Sequence, residues 1–152
     1  MTIQATDLKL RQSVIMADVP EGGGGPGAGT TIALSDRLDW TDEFDWHPVE
    51  QATGYSTTGA LLIDVATRQA GRPITLQGTD TQAWMPRSTM LQLATWAALP
   101  GAVLTLTVRG VARDVVFDHA QGGFTAEPIW RLLDGEVDAT LLYRPVLKFL
   151  EV

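Results

Sequence analysis

One stretch restricts this chain's architecture more than any other: EGGGGPGAGTT, residues Glu21 to Thr31. Glycine loses more conformational freedom on folding than any other residue, so such a run is ordered only where neighbours hold it. It divides the chain into an extended N-terminal arm, residues 1–30, and a β-rich body, residues 31–152. Gly24 and Gly29 stand at the spacing of a phosphate-binding loop, but Thr30 occupies the place of the lysine that such a loop needs for the outer phosphates. No cofactor is assigned to it. Within the arm, Asp7–Gln12 alternates polar and apolar residues as a short strand does, with Leu8 and Leu10 on one side as candidate interface residues. The stretch then reads as a joint that lets the arm reach a neighbouring subunit and add a strand to it. On that reading, removal of residues 1–29 leaves a folded body that assembles poorly.

A chain of 152 residues has the size of one ordinary domain and can bury a core without staples. Absence of cysteine excludes disulfides, thiolate metal sites and a cysteine nucleophile. A formal charge of -7, with only Lys9 and Lys148 as lysines and the arginines scattered, opposes nucleic acid and anionic membranes as partners. The first twenty residues lack the apolar run of a secretory signal, and no later segment has the length of a membrane span, so an intracellularly made, soluble protein is expected.

The body reads as strands with one helix, a mainly β fold of β-sandwich or split-barrel type. TTIAL (30–34) and Trp46–Gln51 are short strand candidates, the latter placed at an edge by Pro48. From Tyr55 to Ala66, Leu61, Ile63 and Val65 fall on one face, with Leu62 on the other. Pro73–Gln77 is a compact strand closed by Gly78. Arg87–Leu99 shifts to a helical period, with Ser88 as N-cap and Leu91, Ala94 and Ala98 as the face laid on a sheet; Trp96 is expected in the core beside Met90, Leu93 and Ala97. Ala102–Arg109 and Val111–Asp118 form a hairpin about Gly110. Strands near Thr125–Leu133 and within Asp138–Val152 complete the set.

The densest polar cluster, Asp36 to His47, holds five carboxylates and an imidazole. It lacks the alternating ligands, glycine turn and distal glutamate of a calcium loop, and no metal ligand is assigned. Its carboxylates with Trp40 and Trp46 would suit a glycosidase or a sugar platform; the reading preferred over these is a solvated acidic turn whose tryptophans anchor its ends in the core. His47 and His119 fall in different predicted strands, and Ser13, Ser35, Ser56 and Ser88 lack a nucleophile-elbow context. No catalytic residue is assigned, and the chain is expected not to be an enzyme. Trp84 and Trp130 flank predicted elements and join Trp40 as candidate interface anchors. Arg72 and Arg87 lie beside turns, where a guanidinium can bond backbone carbonyls or a carboxylate.

From Leu38 onward the chain resembles tail-tip and baseplate virion proteins of long, non-contractile-tailed bacteriophages, particularly those similar to distal tail proteins. The stretches that carry the likeness are DWTDEFDWHPV (39–49), TGALLI (58–63), AGRPITLQG (70–78), Trp84 and Arg87 of WMPR, LPGA (99–102) and FLEV (149–152). The resemblance implies a ring-forming β-sandwich or split barrel with one helix, commonly a homo-hexamer in the virion tail tip, joining the tail tube to baseplate hub or fibre proteins. The expectation from a different class is a carbohydrate-binding module recognising host surface glycans through Trp40, Trp46 and the acidic turn.

Overall fold

Alternation of apolar and polar residues dominates the chain, and strands dominate the structure. A computed structural model describes residues 1–5, 31–131 and 133–152. Its strands are β1 (Thr2–Ala5), β2 (Thr31–Ala33), β3 (Asp39–Trp40), β4 (Val49–Tyr55), β5 (Leu61–Thr67), β6 (Pro73–Gln77) and β7 (Met85–Pro86). After the helix α1 (Arg87–Ala97) come β8 (Leu104–Val108), β9 (Val111–Phe117), β10 (Phe124–Pro128) and β11 (Leu142–Glu151). The fold is mainly β, antiparallel and sandwich-like, with one packed helix.

The larger sheet runs β2-β1-β8-β9-β11-β6-β3, and β11 is its shared spine. Leu142 and Tyr143 pair with β7, Tyr143–Leu147 with β10, Val146–Leu150 with β6, and Phe149–Glu151 with β9. Along one side of β11 the partner therefore changes from β10 to β9. Lys148 bridges that change: its carbonyl accepts from the Asp118 N–H at 2.9 Å and its N–H donates to the Gly123 carbonyl at 2.7 Å. Residues 118–123 are thus an excursion out of an otherwise continuous strand. Gly122 and Gly123 close it at φ 93° and 39°, where a side chain is disfavoured.

One apolar cluster joins the elements. It includes Ile3, Trp40, Ile74, Leu76, Leu104, Leu106, Val115, Leu147 and Phe149, with Met90, Leu93 and Trp96 from α1. The buried helical face is therefore Met90-Leu93-Trp96, not Leu91-Ala94-Ala98, and Leu91 is 51% exposed. The long side chains of methionine and tryptophan at i, i+3 spacing remove more apolar area from water than two alanines, and they decide the rotation of the helix. Ser88 is not the N-cap either. Pro86 holds that position, and the first free N–H groups, of Arg87 and Ser88, donate to the carbonyls of Leu141 and Ala139.

The expected arm also needs correction at its start. Thr2–Ala5 is not an appendage but a strand within the large sheet, paired to β2 on one side and β8 on the other, with Ile3 fully buried. Removing residues 1–29 would strip that strand from Leu106 and Ile32, so the body would not be left intact. The expected strand Asp7–Gln12, Leu8, Leu10 and the glycine run lie outside the described residues.

The expected hairpin about Gly110 is present as β8–β9. Arg109 and Gly110 take φ of 52° and 76°, the paired left-handed conformation that a two-residue hairpin loop requires. Strands β4 and β5 form a separate two-stranded sheet whose fourteen residues are all exposed.

Candidate functional site

Three places hold the residues singled out in the sequence. The first is the acidic turn. Trp40, on β3, is only 6% exposed and belongs to the core. Its Nε1 donates to Asp42 Oδ1 at 2.8 Å, and the same oxygen accepts the Thr75 N–H at 2.8 Å, so Asp42 ties the turn to β6. The guanidinium carbons of Arg72, Arg113 and Arg109 lie 4.8, 5.4 and 5.8 Å from the Trp40 ring centre, a cationic cover for an aromatic ring. Arg72 also donates to the Glu43 carbonyl at 2.8 Å, while Arg109 pairs with the Glu43 carboxylate. A ring so enclosed is the core anchor expected of the acidic turn and cannot serve as a sugar platform or a surface anchor, which corrects those two expectations for Trp40. Here the acidic turn is a clamp: its Glu43 carboxylate pairs with Arg109 of the β8–β9 hairpin loop, and its Glu43 carbonyl accepts from Arg72, the residue just before β6.

The second place is the β4–β5 hairpin. Register pairs Val49 with Thr67, Gln51 with Val65, Thr53 with Ile63 and Tyr55 with Leu61, which sets these residues on one face. Glu50, Ala52, Gly54, Leu62, Asp64 and Ala66 form the other. One face thus carries Val49, Tyr55, Leu61, Ile63 and Val65, all at least half exposed. Arg68 Nε donates to Glu50 Oε2 at 2.9 Å at the hairpin base. That contact holds the Glu50 carboxyl below its ordinary range and raises the Arg68 guanidinium.

The third is a recess of about 320 Å³ lined by Asp80, Trp84, Pro128, Ile129, Trp130 and Arg144. Trp84 and Trp130 meet edge to face, ring centres 6.5 Å apart and planes 65° apart. The Trp84 Nε1 donates to the Thr79 carbonyl at 3.0 Å, which fixes its ring. Ala83, immediately before it, holds φ at 65°, a left-handed strain unusual for a residue with a Cβ. Arg144 lies opposite Glu127 in the β10–β11 register and bonds both Glu127 and Asp80. Gly78 packs closely here: a Cβ there would lie 3.0 Å from Pro145 Cδ and 3.2 Å from both Arg144 Cγ and the Ala83 carbonyl, so its neighbours would have to give by a few tenths of an ångström.

Of the remaining expected residues, Arg87 is half-buried at the start of α1, and its guanidinium makes no hydrogen bond or ion pair among the described residues. His47 and His119 are exposed, and Ser56 Oγ is engaged with Thr58 and the Ala60 N–H in the β4–β5 turn. Among the described residues no three His, Asp or Glu side chains are grouped to hold a metal ion, and no helix is long and apolar enough to cross a membrane. The sequence did not bring Trp84 and Trp130 together or join Asp80 and Arg144 to them. The only local signal was the exposure-prone setting of both tryptophans beside turns.

No protein-family model, curated protein or solved structure matches this chain.

Proposed function

We propose that this chain is a structural virion protein of a phage tail tip or baseplate, forming a ring that joins the tail tube to the hub and fibres. The observation that carries the reading is the β4–β5 hairpin. An isolated two-stranded sheet is marginal in water, and natural proteins rarely leave such an apolar face uncovered. Here five large apolar side chains share one face, each at least half exposed, with no core beneath them among the described residues. Covering each is worth about 1 kcal/mol, taken as roughly half the transfer energy of a fully buried side chain. The occupant is an adjacent copy, and the likeness of residues 39–49, 58–63 and 70–78 to distal tail proteins supports a closed homo-hexameric ring. In such a ring the hairpin of one subunit meets a different surface of the next, the heterologous arrangement that closes by rotation. Its place is the virion tail tip, after synthesis in the host cytoplasm, and its role requires no bond-making residue.

Particle imaging and mass measurement of the purified full chain test this. Closed rings of one defined copy number are expected, and Ile63→Ser combined with Val65→Ser is expected to abolish them while leaving a folded monomer. A wild-type chain that remains monomeric even with its tail-tube and hub neighbours contradicts the proposal.

A further inference from the structure

We propose that the recess between Trp84 and Trp130 binds a neutral saccharide residue. Ligand binding at this recess is independent of how the chain assembles. The recess offers two aromatic rings at 65°, one fixed through Thr79 and the other, Trp130, 56% exposed at the rim. Aromatic rings of this kind supply an apolar surface with a polar margin, suited to a ligand with one apolar face.

The polar groups decide the class. Arg144 donates one nitrogen to Asp80 Oδ1 and the other to Glu127 Oε2. Asp80 Oδ2 and Glu127 Oε1 accept no hydrogen bond among the described residues, and a guanidinium has five N–H donors, more than these two bonds use. The site therefore presents donors and acceptors side by side. An organic cation, the usual guest of paired tryptophans, meets the Arg144 charge in the lining; an anion meets the Asp80 carboxylate there, with Glu127 bound to Arg144 behind it. A sugar hydroxyl both donates and accepts, so adjacent hydroxyls on a pyranose match the alternation of carboxylate and guanidinium while a ring face lies on Trp130. At about 320 Å³ the recess is at the small end of ligand sites and holds one sugar residue, not an extended chain. The Trp84 indole bond to the Thr79 carbonyl and the ion pairs of Arg144 with Asp80 and Glu127 hold the wall and the guanidinium in place before any ligand arrives.

The test is an NMR titration of the full chain, following the indole N–H signals of Trp84 and Trp130, with N-acetylglucosamine, glucose, galactose and rhamnose in turn. Tetramethylammonium and inorganic phosphate serve as charged probes. Saturable shifts of both indoles with at least one sugar, at millimolar affinity, are expected. Trp130→Ala, an exposed position whose loss leaves the core untouched, is expected to weaken that binding at least about tenfold, and Asp80→Asn to weaken it less. Indoles that respond to none of the four sugars overturn the proposal. So does a response to tetramethylammonium or phosphate that exceeds the response to every sugar, or sugar shifts that persist undiminished in Trp130→Ala.

Discussion

Strands β5 and β6 are separated by five residues and follow the same alternating pattern, yet they end in opposite environments. Ile74 of β6 is 0% exposed, with β11 on one side, β3 on the other and the core beneath it. Ile63 of β5 is 51% exposed, on a ribbon with a single neighbour strand. Alternation tells which residues share a face; it does not say whether anything in the same chain lies against that face. The apolar face of β5 has no such partner among the described residues, which is the ground on which the hairpin is proposed as an assembly element.

The sharpest way to break this comparison is to truncate the same residue type on both strands. Ile74→Ala is expected to cost about 2–5 kcal/mol in chemical denaturation, from lost burial and a residual cavity. Ile63→Ala in the unassembled chain is expected to stay within about 0.5 kcal/mol. Equal losses would place the hairpin in the fold and remove the distinction. Ile3→Ala belongs with the first group, at about 2–5 kcal/mol, because Ile3 is as fully buried as Ile74.

Next in size is Asp42→Ala. It deprives the Trp40 indole and the Thr75 N–H of their common acceptor and is expected to cost about 1.5–3 kcal/mol, the range for hydrogen bonds to a charged group. Tryptophan fluorescence during denaturation reports both the loss and the loosening of the ring.

A smaller effect attaches to Asp138. Its carboxylate accepts from the Thr140 hydroxyl, the Thr140 N–H and the Leu141 N–H, which hold it below the ordinary carboxyl range. A depressed carboxyl stabilises the folded state fully above its unfolded titration range, and that contribution is lost as pH falls through the lower folded value. Because the same loop supplies the Ala139 and Leu141 carbonyls to α1, Asp138→Asn is expected to quicken amide exchange at Arg87 and Ser88. Unchanged exchange there would separate the loop from the helix start.

The smallest effect concerns Glu50 and Arg68, both solvent-exposed. Arg68→Ala is expected to return the Glu50 titration, followed by NMR, to its ordinary carboxyl range without measurable loss of fold.

Much of this arrangement was legible along the chain where local chemistry decides structure. Pro73–Gln77 is bounded by a turn and by Gly78, and the Arg109-Gly110 pair marks a hairpin loop, so both were placed from their own residues. Thr2–Ala5 was not, because four residues are too few to display a period; they become a strand only through β2 and β8. The helix was found but rotated wrongly, since its alanine pattern competed with the larger Met90, Leu93 and Trp96. Trp40 was read both as a core anchor of the acidic turn and as an interface candidate; it is in the core, and the cover of Arg72, Arg109 and Arg113 that closes over it comes from positions far apart in the sequence, which no local pattern displays. The Trp84–Trp130 recess was illegible for the same reason: β11 brings its two sides together through separate pairings to β7 and β10. Register of this kind is set by the whole sheet.

Hydrogen exchange across residues 49–67, followed as protein concentration is raised, tests most directly whether the hairpin is covered by another copy. Fast exchange in the dilute chain, giving way to strong protection on association, is the expected result. Association that leaves these amides exchanging as fast as in the monomer would contradict it.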